Sequence, residues 1–131
     1  MTHDDLFRAL LSKLATDLEG LFSLLAPDAI AEFPYAASLG LPARVEGIEA
    51  IRRHFRDVMS RIGFANFEFT ELRSYPGADG TSAWFEVHGS ADLPGGKKYE
   101  QDYVVWLRSV DGKVAHYREY WNMVPIMELP R

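Results

Sequence analysis

Hydrophobic residues recur at every third or fourth position in much of the first half of the chain, and this spacing predicts helices. Asp4 can cap a first helix, and a short second helix is predicted from 17 to 25, ended by Pro27. The clearest helix runs from Gly47 to Ile62, because its apolar residues fall on one side of the helical wheel and its arginines fall elsewhere. The intervening stretch AIAEFPY is predicted to be a strand followed by an ordered loop.

The hydrophobic pattern changes after Gly63, where β-prone runs are separated by turns that contain glycine. Four strands are predicted, at residues 64–75, 82–91, 99–108 and 113–123. The pair Asp111-Gly112 is typical of a two-residue hairpin turn, so the second half is predicted to be an antiparallel meander. Helices followed by hairpins indicate the α+β class, in which helices pack on one face of a curved sheet. We expect a single domain over residues 1–131.

The turn at Asp111-Gly112 also predicts which residues share a face of the last two strands. The predicted cross-strand pairs are Trp106 with Tyr117, Val104 with Glu119, and Asp102 with Trp121. In this register the Glu119 carboxylate lies among aromatic rings, where lost solvation favours its neutral form and raises its pKa. Glu119 then either transfers protons near neutral pH or forms a structural ion pair with an arginine such as Arg118.

Both faces of the predicted hairpin are rich in aromatic or aliphatic side chains. A sheet with one solvent-exposed face would instead alternate apolar and polar residues. One face is predicted to carry Tyr117, Glu119 and Trp121 toward a cavity, and the other carries His116 and Arg118 away from it. We expect the helices to cover the first face and a second copy of the chain to cover the outer one, which gives a homodimer.

Composition narrows the classes of function. The chain has 131 residues, 47% of them hydrophobic, and a formal net charge of −5 with scattered basic residues, which argues against nucleic-acid binding. There is no cysteine for a disulfide, a thiolate metal site or a thiol nucleophile, and no recognised metal-ligand spacing. The sequence has no signal-peptide pattern and no apolar run long enough for a membrane helix. We expect a soluble cytoplasmic protein without membrane, metal or cofactor.

Three further residues are candidates for a pocket, each with a plainer alternative. His54 borders the apolar stripe of the 47–62 helix and either reaches a pocket or packs as an ordinary side chain. Tyr35 either donates a hydrogen bond from its hydroxyl to a ligand oxygen, or is an aromatic residue at the end of a strand whose hydroxyl is exposed to solvent. Glu86 shares a face with His88, but the register of this strand is undecided by one residue, so the pair lines either the cavity or the outside.

Several segments together resemble the SnoaL-like branch of the NTF2-like, ketosteroid-isomerase-like proteins. These segments are LLAPDAIAEFPY, GIEAIRRHF and YEQDYVVWLRSVDGKVAHYREYWN, and with their connections they extend over nearly the whole chain. The resemblance implies an α+β cone in which a strongly bent antiparallel sheet packs on about three helices. It also implies a deep pocket at the mouth of the cone and, usually, a homodimer.

Within this branch the chain is similar to the phenazine-biosynthesis A/B proteins through the stretch WFEVHG, residues 84–89. By this resemblance Glu119 would be the proton-donating carboxylate, and His54 would orient the substrate or relay a proton. The chain departs from the pattern at Val58, where that family has a serine one turn after the helix histidine. In a comparison with ketosteroid isomerases, their acid falls near Val104, which cannot donate a proton.

The resemblance and the candidate residues together predict an enzyme of the isomerase, cyclase, lyase or condensation type that needs no cofactor. Glu119, helped by His54, would act by general acid/base catalysis on a small apolar or cyclic metabolite. The residues expected to line the site are Tyr35, Val58, Glu86, Asp102, Trp106, Tyr117 and Trp121. The alternatives are a non-catalytic small-molecule binding protein of the same fold and a module for subunit assembly.

Overall fold

The computed structural model of the protein describes residues 1–129, and within this range the chain forms four α-helices and one 3-10 helix. Their bounds are α1 His3–Thr16, α2 Leu18–Phe22, α3 Ile48–Ile62, α4 Met123–Met127, and the 3-10 helix Pro34–Leu39. Helix α1 begins at His3 because Thr2 and Asp5 form a capping box, in which each side chain accepts a hydrogen bond from the other residue's backbone N–H. The predicted cap at Asp4 is therefore wrong by two positions.

Six strands form one mixed sheet in the order β2-β1-β6-β5-β4-β3. Their bounds are β1 Leu25–Glu32, β2 Arg44–Glu46, β3 Ala65–Pro76, β4 Ser82–Asp92, β5 Lys98–Val110 and β6 Lys113–Trp121. Strands β3 to β6 pair antiparallel in chain order, which confirms the predicted meander. Strand β1 runs parallel to β6, so the expected all-antiparallel sheet is wrong at this pair.

Strand β1 begins earlier than the sequence predicted. It starts at Leu25 and contains Pro27, whereas the sequence predicts a helix up to residue 25 and a strand only from Ala29. Proline is tolerated because the pairing of β1 with β6 is irregular between Leu25 and Ile30, where a regular ladder would need a backbone N–H. Helix α2 is correspondingly short, and the Asp17 side chain caps it by accepting a hydrogen bond from the backbone N–H of Gly20.

The turn between β5 and β6 has the predicted form. Val110 pairs with Lys113, so Asp111 and Gly112 are the two turn residues. Both have positive φ angles, 52° and 77°, as a type I′ turn requires. Glycine adopts such an angle without a steric penalty, and aspartate is one of the few other residues that tolerate it.

One extra residue changes the register beyond this turn. Ser109 pairs with Val114, but the next residue of β5, Arg108, pairs with His116. Ala115 is therefore left over as a bulge in β6. A bulge of one residue shifts every later pair by one position and exchanges the faces of one strand relative to the other.

The shift overturns the predicted cross-strand pairs. The observed pairs are Leu107 with Tyr117, Val105 with Glu119, and Tyr103 with Trp121. The residues of β6 that were predicted to face inward do so. In β5, however, the inward-facing residues are the odd-numbered ones that were predicted to face outward. The prediction that Trp106, Val104 and Asp102 share a face with Glu119 is therefore wrong, because it assumed an unbroken ladder.

The inner face of the sheet packs against the helices. Phe7 of α1 stacks on Phe85 of β4 with ring centroids 4.3 Å apart, and both side chains are completely buried. Ile51 of α3 joins the same core. Irregular pairings in β1, β3 and β6 bend the sheet, so that its inner face and the helices leave a hollow between them. No helix within residues 1–129 is both long enough and apolar enough to cross a membrane.

Candidate functional site

A cavity of about 200 Å³ lies between the inner face of the sheet and the helices. An apolar cavity of ~150 Å³ admits benzene, so this one has room for a compound of one or two small rings. The sheet contributes nine lining residues: Phe67, Phe69, Val87, Tyr99, Tyr103, Val105, Tyr117, Glu119 and Trp121. Helix α3 contributes His54, Phe55, Val58, Met59, Arg61 and Ile62, and much of the remaining wall is apolar, from Phe7, Leu11 and Leu14 of α1 to Ile126 of α4.

Glu119 is the one carboxylate among the lining residues that the structure describes. The Tyr117 hydroxyl donates a hydrogen bond to its Oε1 atom at 2.6 Å, and the Trp121 indole N–H donates to its Oε2 atom at 3.0 Å. Both donors lie two residues away along β6, on the same inward face. A carboxylate can accept about four hydrogen bonds, so each oxygen keeps capacity for a ligand.

The surroundings of Glu119 disfavour its charge. Burial raises the pKa of this carboxyl, and the hydrogen bonds from Tyr117 and Trp121 offset only part of that rise. Part of the side chain stays accessible although protein atoms surround it, as expected for a group in the wall of a cavity. The alternative of an ion pair with Arg118 is not realised, because Arg118 lies over the Trp106 ring and reaches Glu32 on the outer face.

Two more hydroxyl groups enter the cavity from β5. The Tyr99 and Tyr103 hydroxyls lie 3.0 Å apart and share a hydrogen bond. Burial raises the pKa of Tyr99 to about 12 and raises the pKa of Tyr103 well above its usual value. Both groups therefore stay protonated at neutral pH and act as hydrogen-bond donors.

His54 reaches the cavity from α3, and its ring stacks on Phe33 with centroids 5.1 Å apart. Burial lowers the pKa of His54, while Asp57 opposes this effect and Arg61 adds to it. The imidazole is consequently neutral at pH 7. Arg61 lies two turns further along α3, lines the cavity and pairs with Asp57 at 3.6 Å. Within residues 1–129 no group of three His, Cys, Asp or Glu side chains is arranged to hold a metal ion.

The structure brings together five of the predicted site residues and separates four. His54, Val58, Tyr117, Glu119 and Trp121 line the cavity. Tyr35 does not, because the chain forms a 3-10 helix there that leaves its side chain 47% exposed, with its ring 5.6 Å from that of Tyr120.

The other three misplaced residues lie on the outer face of the sheet. Glu86 accepts a hydrogen bond from the Tyr75 hydroxyl at 2.6 Å. Asp102 contacts His88 at 2.8 Å, and Trp106 lies beneath Arg118. The Ala115 bulge is the reason for the errors at Asp102 and Trp106, and the open question of the Glu86 register is resolved toward the outside.

Sequence reasoning missed Tyr99, Tyr103 and Arg61. The two tyrosines are four residues apart in one strand and so share a face, which is a usable signal. The predicted register, which assumed an unbroken ladder, however placed Tyr103 on the opposite face of the sheet from Glu119. Arg61 is one of several arginines on α3, and nothing in its spacing distinguishes it from those in solvent.

The bent sheet, the covering helices and the cavity between them together define the NTF2-like, ketosteroid-isomerase-like fold. A protein from Catenulispora acidiphila, described as having a ketosteroid isomerase-like fold and solved in complex with trimethylamine, superimposes with a TM-score of 0.75. It is 16% identical, and the match covers 96% of this chain and 91% of that one.

Residues 5–117 match the SnoaL-like domain, and the chain belongs to this family. An uncharacterized PhzA/B-like protein of Pseudomonas aeruginosa is 37% identical over 114 residues, covering 86% of this chain and 77% of the relative. A solved protein from Bacillus subtilis, named as a candidate isomerase, is 28% identical with a TM-score of 0.85, and the match covers 95% of this chain and 89% of that one.

Proposed function

We propose that the protein is a cofactor-independent enzyme that acts by general acid/base catalysis on a small, largely apolar, carbonyl-containing or cyclic metabolite. The reaction is of the isomerase, cyclase or condensation type. The observation that carries this proposal is the Glu119 carboxylate, the one carboxylate that residues 1–129 place in the wall of the apolar cavity, with both oxygens oriented by Tyr117 and Trp121 and with a pKa raised by burial. A carboxyl whose pKa moves toward neutrality can both accept and return a proton at physiological pH.

Glu119 is the proton-transfer group in this proposal, and the neutral His54 is its helper. A neutral imidazole can donate a hydrogen bond through one ring nitrogen and accept one through the other. It can therefore orient a polar group of the substrate without adding charge to the cavity. Val58 and the aromatic residues hold the apolar part of the substrate.

The test compares Glu119→Gln with a matched control. Glutamine can keep both hydrogen bonds, since its oxygen can accept from Trp121 and its amide can donate to the Tyr117 oxygen. The probe is 3-cyclohexen-1-one, a one-ring ketone whose isomerisation to the conjugated enone is followed by absorbance. We expect turnover by the wild type and a loss of about 100-fold or more in kcat for Glu119→Gln.

The control is Glu86→Gln, which removes a carboxylate from the outer face and should leave turnover unchanged. Equal turnover in the wild type and Glu119→Gln would contradict the assignment. The same comparison is run over a panel of small cyclic ketones, so that failure of one ring size does not decide the result.

A second candidate is a small-molecule binding protein without chemistry. The hydrogen bonds on both Glu119 oxygens favour it, because a carboxylate that only shapes a binding site would also be held in this way. This candidate predicts that a compound retained through purification is seen by native mass spectrometry in both the wild type and Glu119→Gln. It also predicts no turnover by either protein across the ketone panel.

A further inference from the structure

A cationic side chain lines one part of the cavity. Arg61, in the last turn of α3, is the one arginine or lysine among the lining residues that the structure describes. Its side chain is 41% exposed, so the residue borders both the cavity and the solvent. Arg61 therefore lies at the mouth of the cavity.

The spacing along α3 places Arg61 on the same side of the helix as His54. His54, Val58 and Arg61 are separated by four and then three residues, which puts them on one face, and all three line the cavity. Seven residues of helix span about 10 Å, so His54 and Arg61 lie two turns apart along the wall. The charge of Arg61 still acts inside the cavity, because it adds to the effect of burial in lowering the pKa of His54.

The Arg61 guanidinium has unused hydrogen-bond donors. A guanidinium carries five N–H groups. Within residues 1–129 its carboxylate partner is Asp57, and the Nη2 and Oδ2 atoms lie 3.6 Å apart, which is longer than a hydrogen bond. Arg8 and Arg44, by contrast, donate to carboxylates at 2.8 and 2.7 Å. Asp57 is itself 71% exposed, so its attraction for Arg61 is weak.

The charges in the cavity wall limit what these donors can bind. Because His54 is neutral at pH 7, Arg61 is the one positive charge and Glu119 the one carboxylate among the described lining residues. A guanidinium presents two parallel N–H groups that match the two oxygens of a carboxylate and balances its single charge. A phosphate monoester carries about −1.5 to −2 charges at neutral pH, so part of its charge would stay unbalanced.

We propose that Arg61 binds the carboxylate of a small acid whose uncharged, apolar body enters the cavity. As a statement about the substrate, this inference rests on the proposed function and narrows its substrate class to cyclic or aromatic carboxylic acids. The carboxylate stays at the mouth, and the reacting carbonyl lies at the other end of the molecule, near Glu119 and His54. Arg61 thus determines specificity through binding and takes no part in proton transfer.

A purely structural role for Arg61 leads to a different expectation. A cation in the last turn stabilises the C-terminal end of a helix, and an arginine stem can pack on apolar surface while its charged head is hydrated. Neither effect depends on the charge of a ligand. A comparison of an acid with its uncharged amide therefore separates a binding role from a structural one.

The binding test pairs three aryl acids with their primary amides. Benzoate, phenylacetate and 3-phenylpropanoate differ in the distance from ring to carboxylate, and each amide has nearly the same shape without the charge. Isothermal titration calorimetry in a buffer free of carboxylates measures each affinity. We expect the wild type to bind at least one acid about 10-fold more tightly than its amide. Added salt should reduce this preference, because it screens the partly exposed guanidinium.

Variants of Arg61 then assign the preference to this side chain. Arg61→Met should weaken binding of the acid about 10-fold and leave binding of the amide unchanged. Arg61→Lys should keep part of the preference, because an ammonium retains the charge but not the two parallel N–H groups. Arg53→Met is the matched control, since Arg53 is an exposed arginine of the same helix that does not line the cavity. Thermal unfolding of each variant checks that the fold is kept.

The inference is overturned if no acid binds more tightly than its amide, or if Arg61→Met weakens an acid and its amide alike. The proposed function has a separate test, because 3-cyclohexen-1-one carries no carboxylate. Loss of its turnover in Glu119→Gln upholds the proposed function even where acids are not preferred. If instead Glu119→Gln turns over normally and the wild type prefers acids, the proposed function fails and the carboxylate site at Arg61 remains.

Discussion

Glu119 couples the stability of the protein to pH through its position in the cavity wall. Because burial raises its folded-state pKa above the usual value of 4.5, the folded chain favours the protonated carboxyl. The stabilisation is fully present below the unfolded pKa and is lost as the pH rises through the folded pKa. At neutral pH and above, the ionised form therefore lowers the free energy of unfolding.

Replacement of Glu119 by glutamine should remove this pH-dependent loss. We expect Glu119→Gln to have a higher free energy of unfolding than the wild type at pH 8 and to lose that advantage as the pH falls toward 5. Urea denaturation at the two pH values measures the difference. Glu86→Gln, on the outer face, should show no comparable change between them. An advantage for Glu119→Gln that is as large at pH 5 as at pH 8 would contradict the raised pKa.

At the scale of elements, α3 is the part that the sequence predicts best. Its apolar stripe fixes both its bounds, 48 to 62, and the inward direction of Val58. Local signals decide such a helix, since each turn of an amphipathic helix repeats the same information. The turn at Asp111-Gly112 is predictable for the same reason, because its backbone angles restrict the residues that fit.

The faces of β5 were not predictable by the same reasoning. The Ala115 bulge carries no distinctive residue type, since an alanine fits a regular strand as well as a bulged one. The alternation rule works only while the ladder is unbroken, so one missed bulge moved Asp102 and Trp106 to the wrong side. Strand β6 was assigned correctly because its own alternation from His116 onward needs no partner.

Helix α4 is tied to the sheet by the Gln101 amide. Gln101 Nε2 donates to the Asn122 carbonyl at 2.9 Å, and the Asn122 N–H donates to Gln101 Oε1 at 2.7 Å. Asn122 in turn caps α4, whose Ile126 closes one side of the cavity. We expect Gln101→Leu to lower the free energy of unfolding by about 2 kcal/mol, because it removes the side-chain partner of both backbone groups of Asn122 and of the Asp102 N–H.

The same change should speed hydrogen exchange at the α4 amides more than elsewhere, as measured by mass spectrometry. Glu100→Gln is the neighbouring control, because Glu100 lies on the opposite face of β5. A uniform increase in exchange over all elements would indicate general destabilisation and argue against a specific connection between Gln101 and α4.

At the scale of the whole molecule, the outer face of the sheet carries exposed apolar side chains beside charged ones. Val104 is 39% exposed and Trp84 is 37% exposed near the centre of this face. We expect two copies of the chain to associate through it. Light scattering coupled to size-exclusion chromatography should give the mass of a dimer, and Val104→Glu should give a monomer because it buries a charge at the contact.

Val110→Glu is the matched control for this experiment. Val110 is also exposed but lies at the hairpin end, six residues or about 20 Å along the strand from Val104. It should leave the dimer intact. A wild type that is monomeric at micromolar concentration would rule out the association.

The extra residue at Ala115 determines the sign of charge inside the cavity. If β6 absorbed Ala115 into regular pairing while β5 kept its observed faces, His116, Arg118 and Tyr120 would point inward, and Glu119 would point out. The same amino acids would then line a basic chamber suited to anions. For anyone who compares or redesigns members of this family, a one-residue insertion or deletion in this strand matters as much as a substitution of the carboxylate itself. When sequences are aligned over this strand, the residues should first be matched by the face of the sheet on which their side chains lie, and their identities compared afterwards.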